Sequence, residues 1–496
     1  MKPARLLRKT LAVSVAVPLF LAWGGSVLAV ESEPGPMYLT DSHGASGVVH
    51  SFLELSAVDR SYEKYWRGAL DWLIAVAEKD DAGRMTWRLS ASAPEGHPNR
   101  QINLTAVCHI TRMFVAGYER SGDARYKAAA LGSVRMLTEV TALKWQTKLG
   151  PACGWSEGYR PNDKGSGVLA GHSHGLGNFL DTMLDAHRLQ PDEKLKEVLL
   201  GILANLRTRG RSIAGPNNMF VWPRVNKEKV VETGYCYGQA GVILPLLTLA
   251  ERFPDLKLSD GTTALAMANA NLRYLIKAAR AQQGGFVWPH MRHEDKSRNI
   301  GYGSGTGGIG WAFLRGAQVN RKTDPAFAAE CMKYARGAAQ YAVDLVMSLP
   351  ETRTLTASGG DSGFGVCGGA GGSGLLLMLL AQELGPSDAA FTARLNATIA
   401  RLGKILVASA APVDGMLAWK KDDRTVSVAL DYGQTGPVLA LAMSGKHLNN
   451  DEFIQAARHG ADFIVKHAVA EKDGYKFPLR VSLTPGGHAQ KPANQP

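Results

Sequence analysis

Side chains able to do acid–base or thiol chemistry recur before a repeated glycine, as Ser42-His43-Gly44, Ser173-His174-Gly175, Cys236-Tyr237-Gly238, Gly303-Ser304-Gly305, Cys367-Gly368-Gly369 and Asp431-Tyr432-Gly433. An imidazole titrates near about 6.5 and so moves protons at neutral pH. A thiolate is a nucleophile or a soft-metal ligand. His174, Tyr237 and Asp431 are therefore read as acid–base candidates, and His43, His172, Cys236, Tyr302, Cys367 and Tyr432 as residues that contact a ligand. Tyr235 and Asp361 lie close enough in sequence to support them. Each has a structural alternative. A histidine there can bond a neighbouring repeat, the cysteines can pack as small apolar groups, and Asp431 can cap a helix.

These residues sit together only if the elements carrying them converge. The glycines open SHGASGVV (42–49), SHGLGNFL (173–180), YGQAGVIL (237–244), SGTGGIGW (304–311), GGAGGSGL (368–375) and YGQTGPVL (432–439), and the first glycines are 131, 63, 67, 64 and 64 residues apart. The double gap is filled by INLTAVCHITRMFVAGY (102–118), which makes seven repeats. Each opening leads into an apolar run such as GLLLMLLAQ (374–382), the pattern of a helix buried on most sides. A second segment follows with one apolar stripe, as in Phe391, Leu395, Ile399, Leu402 and Leu406. Short turns with an aromatic plug close most units, among them GRMTWR (83–88), NMFVWPR (218–224), GGFVWPH (284–290) and GYKFPLR (474–480); the region after Leu349 lacks one. Packing between helices is the reading of these tryptophans.

Seven hairpins of an inner and an outer helix can stack openly or close. The first and last inner helices look like the rest, where an open array would carry polar end repeats. The sequence therefore predicts an all-α fold, an α/α toroid over residues 36–480, with the residues before the glycines gathered at one mouth of a central cavity. A basic start, an apolar middle and small residues near Ala29 read as a signal peptide over 1–29, and the polar, Pro- and Gly-containing stretch 481–496 reads as a disordered tail. A secreted or periplasmic protein is expected, with no integral membrane segment once the leader is removed.

The chain has 496 residues, 45% hydrophobic and 20% charged, with a formal charge of +12 that falls to +8 without the leader's four basic residues. Its Lys and Arg residues are dispersed, which gives no nucleic-acid footprint. Five cysteines without close pairs are not a disulfide scaffold.

GYCYGQAG (234–241) and SHGLG (173–177) resemble the Trp-Cys-Tyr-Gly and His-Gly motifs of the lanthionine synthetase C-like (LanC-like) family, zinc-dependent cyclases that add a thiol across a dehydrated residue. The resemblance covers the repeats over nearly all the mature chain. It implies Cys236 as a zinc ligand, His174 as the acid or base and Tyr237 near the metal. The chain departs from the family at the third motif, where Gly303-Ser304-Gly305 replaces Cys-His-Gly. Cys367 comes a repeat later still, and a cysteine two repeats from Cys236 is not expected to pair with it. A catalytic zinc ordinarily needs three protein ligands, and the residues themselves commit to no metal.

Three functions are compatible with this reading: thiol-addition or acid–base chemistry on a peptide or small ligand in the cavity; a carbohydrate-active toroid, lyase or hydrolase, acting on an acidic polysaccharide; and a non-catalytic ring that binds peptide or glycan. Hydrolysis requires two carboxylates, for which Asp431 and Asp361 are the rim candidates.

Overall fold

The computed structural model describes residues 45–88, 102–156, 158–159, 170–213, 219–224, 230–289, 300–350, 354, 363–367, 369–422, 424–478 and 480–483. The expected leader, His43, Asp361 and the tail from 484 lie outside them. Fourteen α-helices among the described residues form seven consecutive pairs: α1 (Ala45–Ser56) with α2 (Glu63–Ala75), α3 (Leu104–Ser121) with α4 (Ala124–Arg135), α5 (Leu176–Leu189) with α6 (Glu193–Arg209), α7 (Gln239–Arg252) with α8 (Ala264–Ala278), α9 (Thr306–Asn320) with α10 (Pro325–Ser348), α11 (Ala370–Leu384) with α12 (Ala389–Ala408) and α13 (Thr435–Leu448) with α14 (Asp451–Lys466). Each odd helix packs on the next odd helix, and α13 packs on α1, which closes the inner ring. The fold is the α/α toroid that the repeat predicts.

The two rings begin differently. Most outer helices start on a capping side chain: Asp123, Asp192, Thr263, Asp324, Asp388 and Asn450 each accept a backbone N–H of the first turn. The inner helices α5, α7, α9 and α11 start on glycine in extended conformation, without a side-chain cap. The following glycines serve close approach. A Cβ on Gly241 would lie 2.0 Å from the carbonyl oxygen of Tyr235, so only a bare backbone lets α7 tuck against its own entry loop.

Among the described residues, six outer helices are each followed by a two-stranded antiparallel hairpin, for example Arg211–Ile213 with Met219–Val221. The hairpin reaches forward to the next outer helix. Its tryptophan turns back: Trp87, Trp155, Trp222, Trp288 and Trp419 donate Nε1–H to the carbonyls of Leu73, Leu137, Leu206, Leu275 and Leu406 at 2.7–2.9 Å. These carbonyls lie in or just past the last turns of the preceding outer helices, where few backbone donors remain; those of Leu206 and Leu406 also accept the N–H of Gly210 and Ser409. The tryptophans are thus buried structural plugs, as expected.

The last hairpin, Val469–Glu471 with Gly474–Lys476, packs on α2 and so closes the outer ring. Trp72 donates to Glu471 at 2.9 Å, Tyr62 donates to Asp462 at 2.7 Å, and Arg458 pairs with Asp59 at 2.8 Å. Beyond this hairpin Arg480–Ser482 pairs with Thr425–Ser427, so ordered strand continues to Ser482, past the expected end of the toroid at 480. Among the described residues no helix is long and apolar enough to cross a membrane.

Candidate functional site

The loops entering the inner helices hydrogen-bond in succession. His172 and Ser173 donate backbone N–H to the carbonyls of Tyr235 and Cys236 (3.1 and 3.0 Å), Tyr235 and Cys236 to that of Gly303 (2.7 and 2.9 Å), and Tyr302 and Gly303 to those of Val366 and Cys367 (3.2 and 2.7 Å). This ladder brings the sequence-predicted residues together in three groups.

In the first, the rings of His174 and Tyr237 stack at 4.6 Å with an interplanar angle of 1°, and the Arg224 guanidinium lies 4.6 Å from the Tyr237 centroid. Arg224 is in turn held at 3.1 Å by Glu232, a carboxylate only 2% exposed.

The second group corrects an expectation. Cys236 and Cys367 do meet, with their sulfurs 3.5 Å apart. The reason is Gly303 in the intervening loop, where a Cβ would lie 2.3 Å from the Cys367 sulfur and 2.6 Å from that of Cys236. The Tyr432 hydroxyl bonds Cys367, and the Asp431 charge acts on it. The hydrogen bond with Cys236, together with burial, raises the Cys367 thiol well above the usual thiol range. Asp431 is not the N-cap of α13, since that position is Gln434. Its charge acts on both the Cys367 thiol and the Tyr432 hydroxyl.

The third group lies deeper. His172 stacks on Tyr235 at 4.5 Å, Tyr235 packs on Tyr302 at 4.4 Å, and Tyr302 on Trp311 at 5.5 Å. His172 is driven down to about 4 by burial, so it is neutral and donates Nε2–H to Asp181 at 2.8 Å. Asp181 also lies 3.7 Å from Nη2 of Arg112, whose Nε donates to Asp185 at 3.3 Å.

Arg112, Asp181, Asp185 and Trp311 were missed by sequence reasoning, yet a signal existed. The sixth and tenth residues after each first glycine fall one turn apart on an inner helix, and all but Leu244 and Leu439 are partly exposed although most of the helix around them is buried. They are His50 and Glu54 on α1, Asp181 and Asp185 on α5, Leu244 and Thr248 on α7, Trp311 and Arg315 on α9, Leu375 and Leu379 on α11, and Leu439 and Met443 on α13. On α3 the corresponding partly exposed residues are Arg112 and Ala116. At these positions α1, α3 and α5 carry ionisable side chains, and α11 and α13 carry apolar ones.

The two carboxyls on α5 differ electrostatically. Burial pushes Asp181 up, but the Arg112 charge and the His172 hydrogen bond outweigh it and hold the group below the ordinary aspartate range. Burial and the neighbouring Asp181 charge push Asp185 above that range despite Arg112. One carboxylate is thus kept ionised beside one that holds a proton more readily, the environment pattern of an acid–base pair.

Zinc is the metal that the motif resemblance implies. Two thiols are in place, but among the described residues no group of three His, Cys, Asp or Glu side chains converges as ligands, so the donor set does not fit a catalytic zinc site.

No family model matches the chain, and no curated protein matches it. Solved structures do. Nisin cyclase is similar over 87% of this chain and 94% of its own, at 14% identity and a TM-score of 0.50. The GH76A α-1,6-mannanase of Salegentibacter sp. HEL1_6, solved as an inactive variant in complex with α-1,6-mannotetrose, is similar over 84% of this chain and 99% of its own, at 14% identity and a TM-score of 0.44. The Lin0763 protein of Listeria innocua is similar over 86% and 99%, with a TM-score of 0.41. At such identities the likeness to nisin cyclase speaks for the fold alone.

Proposed function

We propose that the protein is an enzyme performing acid–base chemistry on a ligand held in the lumen, with Asp185 as proton donor and Asp181 as its ionised partner. The observation that carries this reading is the pair itself: two carboxyls one helical turn apart, displaced in opposite directions by their surroundings. Cleavage of a glycosidic bond is the reaction such a pair fits. A protonated carboxyl gives its proton to the leaving oxygen, while an ionised one activates water or attacks the anomeric carbon. Arg112 and neutral His172 position Asp181 and keep it charged. The partly exposed rings of Tyr302 and Trp311, backed by buried Tyr235, offer apolar surface for a sugar ring. His174, Tyr237, Asp431 and Tyr432 contact the ligand nearer the rim. The leader-like start supports export, where polymeric glycans are met.

Thiol addition to a peptide stands second, supported by the Cys236–Cys367 pair. The test is release of reducing ends from a panel of neutral and acidic oligosaccharides, alongside ring closure of a dehydrated, cysteine-containing peptide. Glycan cleavage is expected, and Asp185→Asn should slow it by about 10²-fold or more. Peptide cyclisation without glycan cleavage, or cleavage that survives both Asp181→Asn and Asp185→Asn, refutes the proposal.

A further inference from the structure

We propose that Cys236 and Cys367 form a redox pair that closes to a disulfide across the rim, tying the loop that enters α7 to the loop that enters α11. Their sulfurs are already 3.5 Å apart, although the residues are 131 positions apart in the chain. A disulfide is about 2.05 Å long, so closure asks for a small rotation of two side chains. The backbone has fixed the rest: both loops are hydrogen-bonded to the one between them, Cys236 N–H to the Gly303 carbonyl and Gly303 N–H to the Cys367 carbonyl. Gly303 has no side chain to stand between the sulfurs. The other three cysteines lie in other elements, Cys108 in α3, Cys331 in α10 and Cys153 in the hairpin strand Gly150–Gly154, and all three are buried.

The oxidant is a small-molecule disulfide of the glutathione class. One protein thiol, as its thiolate, attacks a sulfur of the oxidant and releases one small thiol. The second protein thiol then displaces the other, forming the protein S–S bond. The protein loses two electrons and two protons, and the oxidant is reduced to two thiols. Because both cysteines are buried, at 7% exposure each, the exchange is slow and the bond, once made, is shielded from reduction. Closure also withdraws Cys367 from the Tyr432 hydroxyl, which leaves that exposed tyrosine to turn toward a ligand at the mouth.

The experiment uses the full purified chain, equilibrated in glutathione buffers of increasing oxidised fraction, quenched, denatured, alkylated and mapped by mass spectrometry without reduction. Alkylatable thiols should fall from five to three, the intact mass should drop by two hydrogens, and one linked peptide pair should join Cys236 to Cys367. Gly303→Ala, which keeps both thiols but inserts a methyl between them, should slow the bridge at least tenfold, and Cys236→Ser should keep its four remaining thiols alkylatable or carry a glutathione adduct on Cys367. Five thiols surviving in the most oxidised buffer, a bridge to any other cysteine, or unchanged kinetics in Gly303→Ala would each overturn the proposal. None of these readouts depends on turnover in the lumen, so failure here is separate from failure of the proposed activity.

Discussion

Replacing Arg112 by methionine keeps the aliphatic bulk on α3 and removes the cation that serves two carboxylates. Asp185 is 3.3 Å from Nε and Asp181 is 3.7 Å from Nη2, with the three side chains 31%, 20% and 20% exposed. Removing one partner of a buried ion pair costs about 3–5 kcal/mol; the water these groups still touch reduces that to about 2–4 kcal/mol at neutral pH. The sign with pH follows from the two shifts. The folded pKa of Asp181 is depressed, so its contribution is present above the unfolded value of about 3.9 and is lost as pH falls through the folded value. The folded pKa of Asp185 is raised, so its ionisation costs stability at high pH, and the cost disappears as pH falls through that raised value. Without Arg112 both carboxyls move up and neutralise sooner. The deficit of Arg112→Met should therefore be largest at neutral pH and shrink toward pH ~4. Urea denaturation followed by tryptophan fluorescence across that range measures it, and adding Asp181→Asn and Asp185→Asn should restore most of the loss. A deficit below about 1 kcal/mol at neutral pH, or one that stays constant on acidification, refutes the electrostatic account.

For the proposed reaction, kcat/KM should fall as pH drops through the depressed Asp181 pKa and again as pH rises through the raised Asp185 pKa, giving an acid optimum in a pH–rate profile; a profile flat across the carboxylate range counts against the pair. Trp222→Phe keeps an aromatic ring but is smaller and loses the 2.9 Å bond to the Leu206 carbonyl, and should lower stability by about 1–3 kcal/mol in the same urea assay. Gly68→Leu should strike the closing seam, since even a Cβ there lies 2.3 Å from the Tyr475 ring, at a cost of about 1–3 kcal/mol that Tyr475→Ala in the same chain partly relieves; no loss in the single variant means that the last hairpin does not seat on α2 as described.

The ring was legible because its parts obey local rules repeated seven times. Glycines recur at six of the seven inner-helix entries, α3 starting instead on the Asn103 cap, and the buried-all-round and one-striped helices alternate. Contacts between repeats were less legible because they depend on register. His172 and His174 are two residues apart, yet one stacks on Tyr235 deep in the site and the other on Tyr237. The meeting of Cys236 and Cys367 depends on what is missing from Gly303, and spacing along the chain carries no sign of it. Asp181 and Asp185 were overlooked for another reason. Attention to residues before the glycines passes over the helix bodies, although two acids in a run as apolar as LGNFLDTMLDA violate its pattern, and such violations mark functional positions.

That violation has an energetic consequence. The positions equivalent to Asp181 and Asp185 carry Leu375 and Leu379 on α11 and Leu439 and Met443 on α13, so the architecture accepts apolar residues at these places in the repeat. Desolvating two carboxylates and a guanidinium costs several kcal/mol per ion, and well-packed apolar replacements of buried ion pairs are often neutral or stabilising by about 1–4 kcal/mol. If the charged triad existed to hold α3 against α5, replacing it whole would weaken the protein. If it exists for chemistry, the triple variant Arg112→Leu, Asp181→Leu, Asp185→Met should unfold at the same or higher urea concentration while losing turnover. Retained stability with lost turnover would place the triad's purpose in the lumen's reaction. A triple variant as unstable as Arg112→Met alone would make it a structural clamp, and the catalytic assignment would fall with it.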